Sequence, residues 1–75
     1  MQANVTTPTN EKLSWTQFRF IAKSKGTFIT ETLTLAPPVT YDDVVQISLR
    51  EAAYRSTMIP CLWDPFNVSL LIIPV

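Results

Sequence analysis

The chain ends on Phe66-Asn67-Val68-Ser69-Leu70-Leu71-Ile72-Ile73-Pro74-Val75, a ten-residue run, rich in aliphatic residues, that carries no charged side chain. A segment this apolar and β-branched reads as a strand buried on both faces. A domain of 75 residues seldom holds enough other structure to cover both faces of one strand. The segment is therefore expected to meet a partner: another chain, a second copy, or a continuation of the polypeptide. Just ahead of it, Trp63 and Phe66 flank Asp64-Pro65. They read either as parts of a loop packed down on the domain or as aromatic anchors offered to a partner. The candidate partner interface is thus Trp63, Phe66, Val68, Leu70, Leu71, Ile72 and Ile73.

The length points the same way. A chain of this size makes one domain and hides only about 60% of its unfolded surface, so it is marginal without a staple or a partner. Cys61 is the only cysteine, which excludes a disulfide within one chain. No histidine is present, and one thiol cannot build a tetrahedral zinc shell. No metal or other cofactor is expected. Oligomerisation or insertion into a larger body is left as the means of stabilisation.

Charge argues against strong nucleic-acid binding. Six acids (Glu11, Glu31, Asp42, Asp43, Glu51, Asp64) balance six bases (Lys12, Arg19, Lys23, Lys25, Arg50, Arg55), whereas phosphate binding leans on a basic excess. Residues 1–12 lack the basic start and apolar core of a signal peptide. A spanning helix takes roughly 20 apolar residues, and the C-terminal run is half that. Two glycosylation sequons, Asn4-Val5-Thr6 and Asn67-Val68-Ser69, read as chance matches, the second because it falls in the apolar strand.

Along the chain, residues 1–12 are rich in Thr, Asn and Gln without periodicity and read as a flexible arm, leaving 13–75 as one β-rich domain or part-domain. Residues 13–23 alternate, with Thr16, Phe18, Phe20 and Ala22 on one face and Trp15, Gln17, Arg19 and Lys23 mostly on the other. Ser24-Lys25-Gly26-Thr27 contains the chain's only glycine and reads as a turn. Residues 28–36 alternate again, Ile29, Leu33 and Leu35 against Thr30, Thr32 and Thr34. Two strands around so short a turn predict an antiparallel hairpin, and Pro37-Pro38 ends the second strand.

Thr40 then opens a helix signal as N-cap, with Asp43 three residues on as a shortened capping box and Asp42 favoured by the helix dipole. Tyr41, Val44, Val45, Leu49, Ala52 and Ala53 share one helical face. The same letters carry strand spacing, because Val45, Ile47 and Leu49 alternate with Gln46, Ser48 and Arg50. The cap and the helix-forming Arg50-Glu51-Ala52-Ala53 favour the helix. An irregular connector over residues 56–65 leads to the final strand. The predicted fold is α+β: hairpin, one helix, C-terminal buried strand.

Enzyme chemistry fails on inventory. The commonest general base, histidine, is missing. Cys61 lies among Met58, Ile59, Leu62 and Trp63, a setting that keeps a thiol inert. Asp42 and Asp43 are adjacent and so point to different sides of a helix, which suits capping and not paired acid–base work. Trp15, Phe18 and Phe20 near Arg19 and Lys23 carry a nucleic-acid alternative, base stacking on the strand of residues 15–23. The sequence points instead to a non-enzymatic structural or assembly polypeptide, with a small interaction module pairing through its edge strands as the other alternative.

One family has its pieces in this order. Thr16-Gln17-Phe18-Arg19-Phe20-Ile21-Ala22-Lys23-Ser24-Lys25-Gly26 followed by Glu31-Thr32-Leu33-Thr34-Leu35-Ala36 resembles the first two body strands of the coat proteins of tymovirus-like icosahedral plant viruses. Asp43-Val44-Val45 through Ala53-Tyr54-Arg55-Ser56 is similar to the short helix and Tyr-Arg pair that follow, and Leu70-Leu71-Ile72-Ile73-Pro74 to the next strand. The connector Met58–Pro65 is longer than that pattern. A complete eight-stranded jelly roll takes roughly two to three times this length. The resemblance therefore implies the first part of an incomplete jelly roll, a shell-building role in a viral capsid, and a place in the virion. Without it, the cytoplasm is the expected location.

Overall fold

A computed structural model of the chain describes residues 2–3 and 11–75. The fold is α+β and β-rich. In chain order the described elements are β1 (Gln2–Ala3), β2 (Lys12–Leu13), β3 (Gln17–Ser24), β4 (Thr27–Thr34), β5 (Val39–Thr40), α1 (Tyr41–Ser56) and β6 (Ser69–Pro74). The flexible arm expected over residues 1–12 falls mostly outside the described residues. Within its described part, Gln2–Ala3 pair with Ser69 and Leu70, and Lys12 pairs with Thr40.

The main sheet has the order β1-β6-β3-β4. β3 is antiparallel to both β4 and β6, so β4 and β6 run parallel with β3 between them. Parallel strands of one sheet need a long crossover, and the segment containing α1 supplies it, giving a split β-α-β unit. A second, two-stranded sheet pairs β2 with β5. It holds the chain that enters β3 beside the start of the helix.

The hairpin forms where it was expected. Ser24 pairs with Thr27, which leaves Lys25 and Gly26 as a two-residue loop. Both have positive φ, 52° and 77°, the type I′ geometry whose twist matches that of the flanking strands. The alternation also holds. Phe18, Phe20, Ala22 and Ser24 are buried, as are Ile29 and Leu35 on the paired side. Trp15 is an exception. Regular β3 begins only at Gln17, so residue 15 is not bound by the strand's period. Its ring turns inward and meets Tyr41 edge-on, 5.6 Å between centroids.

Residues 41–56 are helical, not extended. The capping box is complete: the Asp43 backbone N–H donates to Thr40 Oγ1 (3.1 Å) and the Thr40 N–H donates to Asp43 Oδ2 (2.9 Å). These bonds satisfy end groups that no helical carbonyl can reach. The helix buries Tyr41, Val44, Val45, Ser48 and Ala52 against the sheet, a set that strand spacing would split between two faces. Ser48 is tolerated in that face because its hydroxyl donates back to Val44 O at 2.7 Å. In the last turn Arg55 reaches across to β4 and grips Glu31 with two hydrogen bonds, 2.8 and 3.2 Å. Glu31 is thereby accommodated on the helix-facing side of its strand.

Candidate functional site: the bare face of the sheet

β6 alternates strictly. Leu70 and Ile72, 1% and 8% exposed, point under the helix, while Leu71 and Ile73 remain 43% and 40% exposed on the opposite side. The expectation of burial on both faces therefore divides. The chain covers one face itself, since a single helix can cap only one side of a sheet. The molecule measures 15 Å in its least dimension, the depth of one sheet and one helix layer.

The register shows what stands beside the exposed β6 residues. Leu71 pairs with Ile21, and Ile21 in turn with Thr30; Ile73 pairs with Arg19, and Arg19 with Thr32; Ser69 pairs with Lys23, and Lys23 with Phe28. These rows make the outer face. Its apolar residues include Ile21, Phe28, Leu71 and Ile73, and Phe28 is 62% exposed. Lys23 Nζ lies 5.3 Å from the centre of the Phe28 ring, a cation–π contact that leaves the ring edge open. Ile21, Lys23, Phe28, Ser69, Leu70 and Leu71 line a shallow open depression of about 210 Å³. Arg19 Nε donates to Thr32 Oγ1 at 3.2 Å. Among the described residues of this face Arg19 and Lys23 are charged, and both are cations.

The remaining residues of the expected interface fall into two groups. Val68, Leu70 and Ile72 are core residues of this chain and are not presented to anything outside it. Trp63 is half-buried and packs against the core. The segment is anchored at Asp64, whose N–H donates to Ser24 Oγ (2.8 Å) and whose carbonyl accepts from the same hydroxyl (3.0 Å). Asp64 Oδ1 also accepts from the Phe66 N–H at 3.0 Å. That turn carries the Phe66 ring outward, 84% exposed. Of the seven residues, the structure thus leaves Phe66, Leu71 and Ile73 with substantial exposed surface. Asn67 of the second sequon sits in the exposed bend ahead of β6, not in the strand.

Ile21 and Phe28 were missed, although a signal for both is present. Ile21 is apolar out of phase with Phe18, Phe20 and Ala22, and Phe28 out of phase with Ile29, Leu33 and Leu35. Large apolar residues on the polar side of both strands of one hairpin mark an apolar outer face.

The other candidates find ordinary roles. Asp43 is held below its ordinary pKa of 3.8, first by the Thr40 backbone N–H and then by the Thr40 hydroxyl. Among the described residues no cluster of three or more metal-ligating side chains occurs. Cys61 is half-buried, its Sγ 3.5 Å from Ser56 O. Phe18 and Phe20 are fully buried and unavailable for base stacking. Among the described residues no helix is long and apolar enough to cross a membrane. No protein-family model, curated protein or solved structure matches the chain.

Proposed function

We propose that this chain is a non-enzymatic assembly polypeptide whose structure is completed by contacts with other chains. The observation that carries the reading is the bare sheet face, where Ile21, Phe28, Leu71 and Ile73 stand together opposite the helix. Single exposed apolar side chains are normal, but a contiguous group on a flat, regular surface marks an interaction site. The charges on this face define its complement: an apolar centre with carboxylates placed to meet Arg19 and Lys23. A shell-building role, as the coat-protein resemblance implies, is the form of this reading in which the assembled chains close into symmetric particles.

The test is Leu71→Asp, read by sedimentation velocity and light scattering on the purified chain. Leu71 is outside the core, so the monomer should keep its circular dichroism spectrum. Those assemblies of the 8.5 kDa chain that are held through this face should disappear, because a carboxylate buried at an apolar contact is strongly disfavoured. Unchanged mass distributions for wild type and variant would remove the bare face from the assembly.

A further inference from the structure

We propose that the outer edge of β4 pairs with the same edge of a second copy, joining two sheets into one across a two-fold axis. This deepens the assembly reading by naming the partner, and it rests on that reading for the premise that the chain associates. The surface it uses, however, is the edge and not the bare face.

The hydrogen-bonding direction of each β4 residue follows from the hairpin. Residues flanking a two-residue loop form a hydrogen-bonded pair, and these alternate along the ladder. With Ser24 opposite Thr27, the groups of Thr27, Ile29, Glu31 and Leu33 point to β3. The Leu35 N–H donating to Thr16 O at 2.8 Å continues that phase. Phe28, Thr30, Thr32 and Thr34 therefore direct their N–H and C=O away from the sheet. Among the described residues, β4 is the terminal strand on this side.

Edges of this kind are usually protected by lysine, proline, a bulge or a short strand. β4 is eight residues long, pairs with β3 without interruption, and contains neither lysine nor proline. Its one charge, Glu31, is tied to Arg55. The opposite side of the sheet is treated differently: β1 pairs at Ser69 and Leu70, and β6 finishes on Pro74, which has no N–H to offer.

A second copy fits this edge by its own pattern. Outward groups recur at every even position from 28 to 34, so an antiparallel copy centred on Glu31 matches all of them. Phe28 then faces Thr34 of the other copy, and Thr30 faces Thr32. Threonine pairs are favourable cross-strand neighbours. The two Glu31 carboxylates meet at the axis, each already carrying its Arg55 guanidinium at 2.8 Å, so neutral ion pairs approach each other. The chain's net charge of zero adds no general repulsion between copies.

Amide hydrogen exchange as a function of concentration tests this on the intact chain. The odd-numbered β4 amides should be protected at every concentration by β3. Those of Phe28, Thr30, Thr32 and Thr34 should exchange freely when dilute and become protected at least tenfold as dimer forms. Thr30→Pro, which removes an N–H directed away from β3, should raise the dimer dissociation constant at least tenfold without altering the monomer's spectrum. Thr30→Lys serves as the second variant if the first misfolds. Leu71→Asp should leave the edge protection intact, which separates this pairing from contacts through the bare face. Even-numbered amides that stay unprotected in an oligomer, or a chain that is monomeric at all concentrations, would overturn the proposal. So would protection that appears only when a different protein is added, because it would give the edge to another partner.

Discussion

Thr40 shows how much a single hydroxyl decides. Its side chain accepts from the Asp43 N–H and its own N–H donates to the Asp43 carboxylate, so the helix starts at Tyr41 and nowhere else. Thr40→Ala should destabilise the fold by about 1 kcal/mol, with Thr40→Ser nearly neutral, as read from the urea midpoint. The Asp43 carboxyl adds a pH signature. Its folded pKa lies below 3.8, so its contribution is fully present above that value and is lost as pH falls through the lower folded value. Asp43→Asn should flatten that part of the acid unfolding curve. Lys25 is the opposite case, a side chain in left-handed backbone at φ 52°. Lys25→Asn should raise stability by ~0.5 kcal/mol, since asparagine tolerates that region better. Gly26→Ala should lower it by about 1 kcal/mol even though nothing lies within 4 Å of the added methyl. Thermal unfolding of the two variants checks both signs.

At the scale of the element, β6 holds two kinds of leucine side by side. Leu70 is enclosed by the chain's own core and Leu71 is not. Leu70→Ala should cost about 2–5 kcal/mol, whereas Leu71→Ala should leave monomer stability almost unchanged and weaken association. Denaturant titration of the two variants at low concentration separates fold from assembly. The connector depends on Ser24, a β3 residue whose buried hydroxyl both donates to and accepts from Asp64. Ser24→Ala should leave the partly buried Asp64 N–H without that acceptor, a loss of about 1 kcal/mol. The same change should speed hydrogen exchange at Asp64 while the β3–β4 amides stay protected. The strand–turn–strand–helix order was legible residue by residue, because each element carries its own local signal: period two, a glycine turn, a cap. The Ser24–Asp64 contact was not, since it joins positions 40 apart and neither residue marks the other.

At the scale of the molecule, α1 and the main sheet make two layers, and two layers leave a face. Two surfaces follow from the same economy of structure: a bare face with apolar residues and two cations, and an unprotected edge on β4. They need not act on the same partner. Face contacts should weaken with salt to the extent that Arg19 and Lys23 meet carboxylates, while edge pairing, built from backbone bonds, should be nearly insensitive to it. Sedimentation of wild type, Leu71→Asp and Thr30→Pro at two salt concentrations separates the contributions.

The sequence by itself determined the α+β class, the hairpin and its turn, the helix start, the inward-facing set Phe18, Phe20, Ala22, Ile29 and Leu35, and the presence of an apolar C-terminal strand. All of these rest on interactions within a few residues or on a strict period. Only the tertiary structure decided which residues of that strand the chain covers itself. Leu70 and Ile72 are inside, and Leu71 and Ile73 outside, because β6 lies beside β3 in a register that turns one set toward α1. The same pairing brings Ile21 and Phe28 to the outer face and leaves β4 at the margin of the sheet. Strand order and register are set by contacts between distant segments, and an apolar residue has the same local pattern whether its own chain or another buries it.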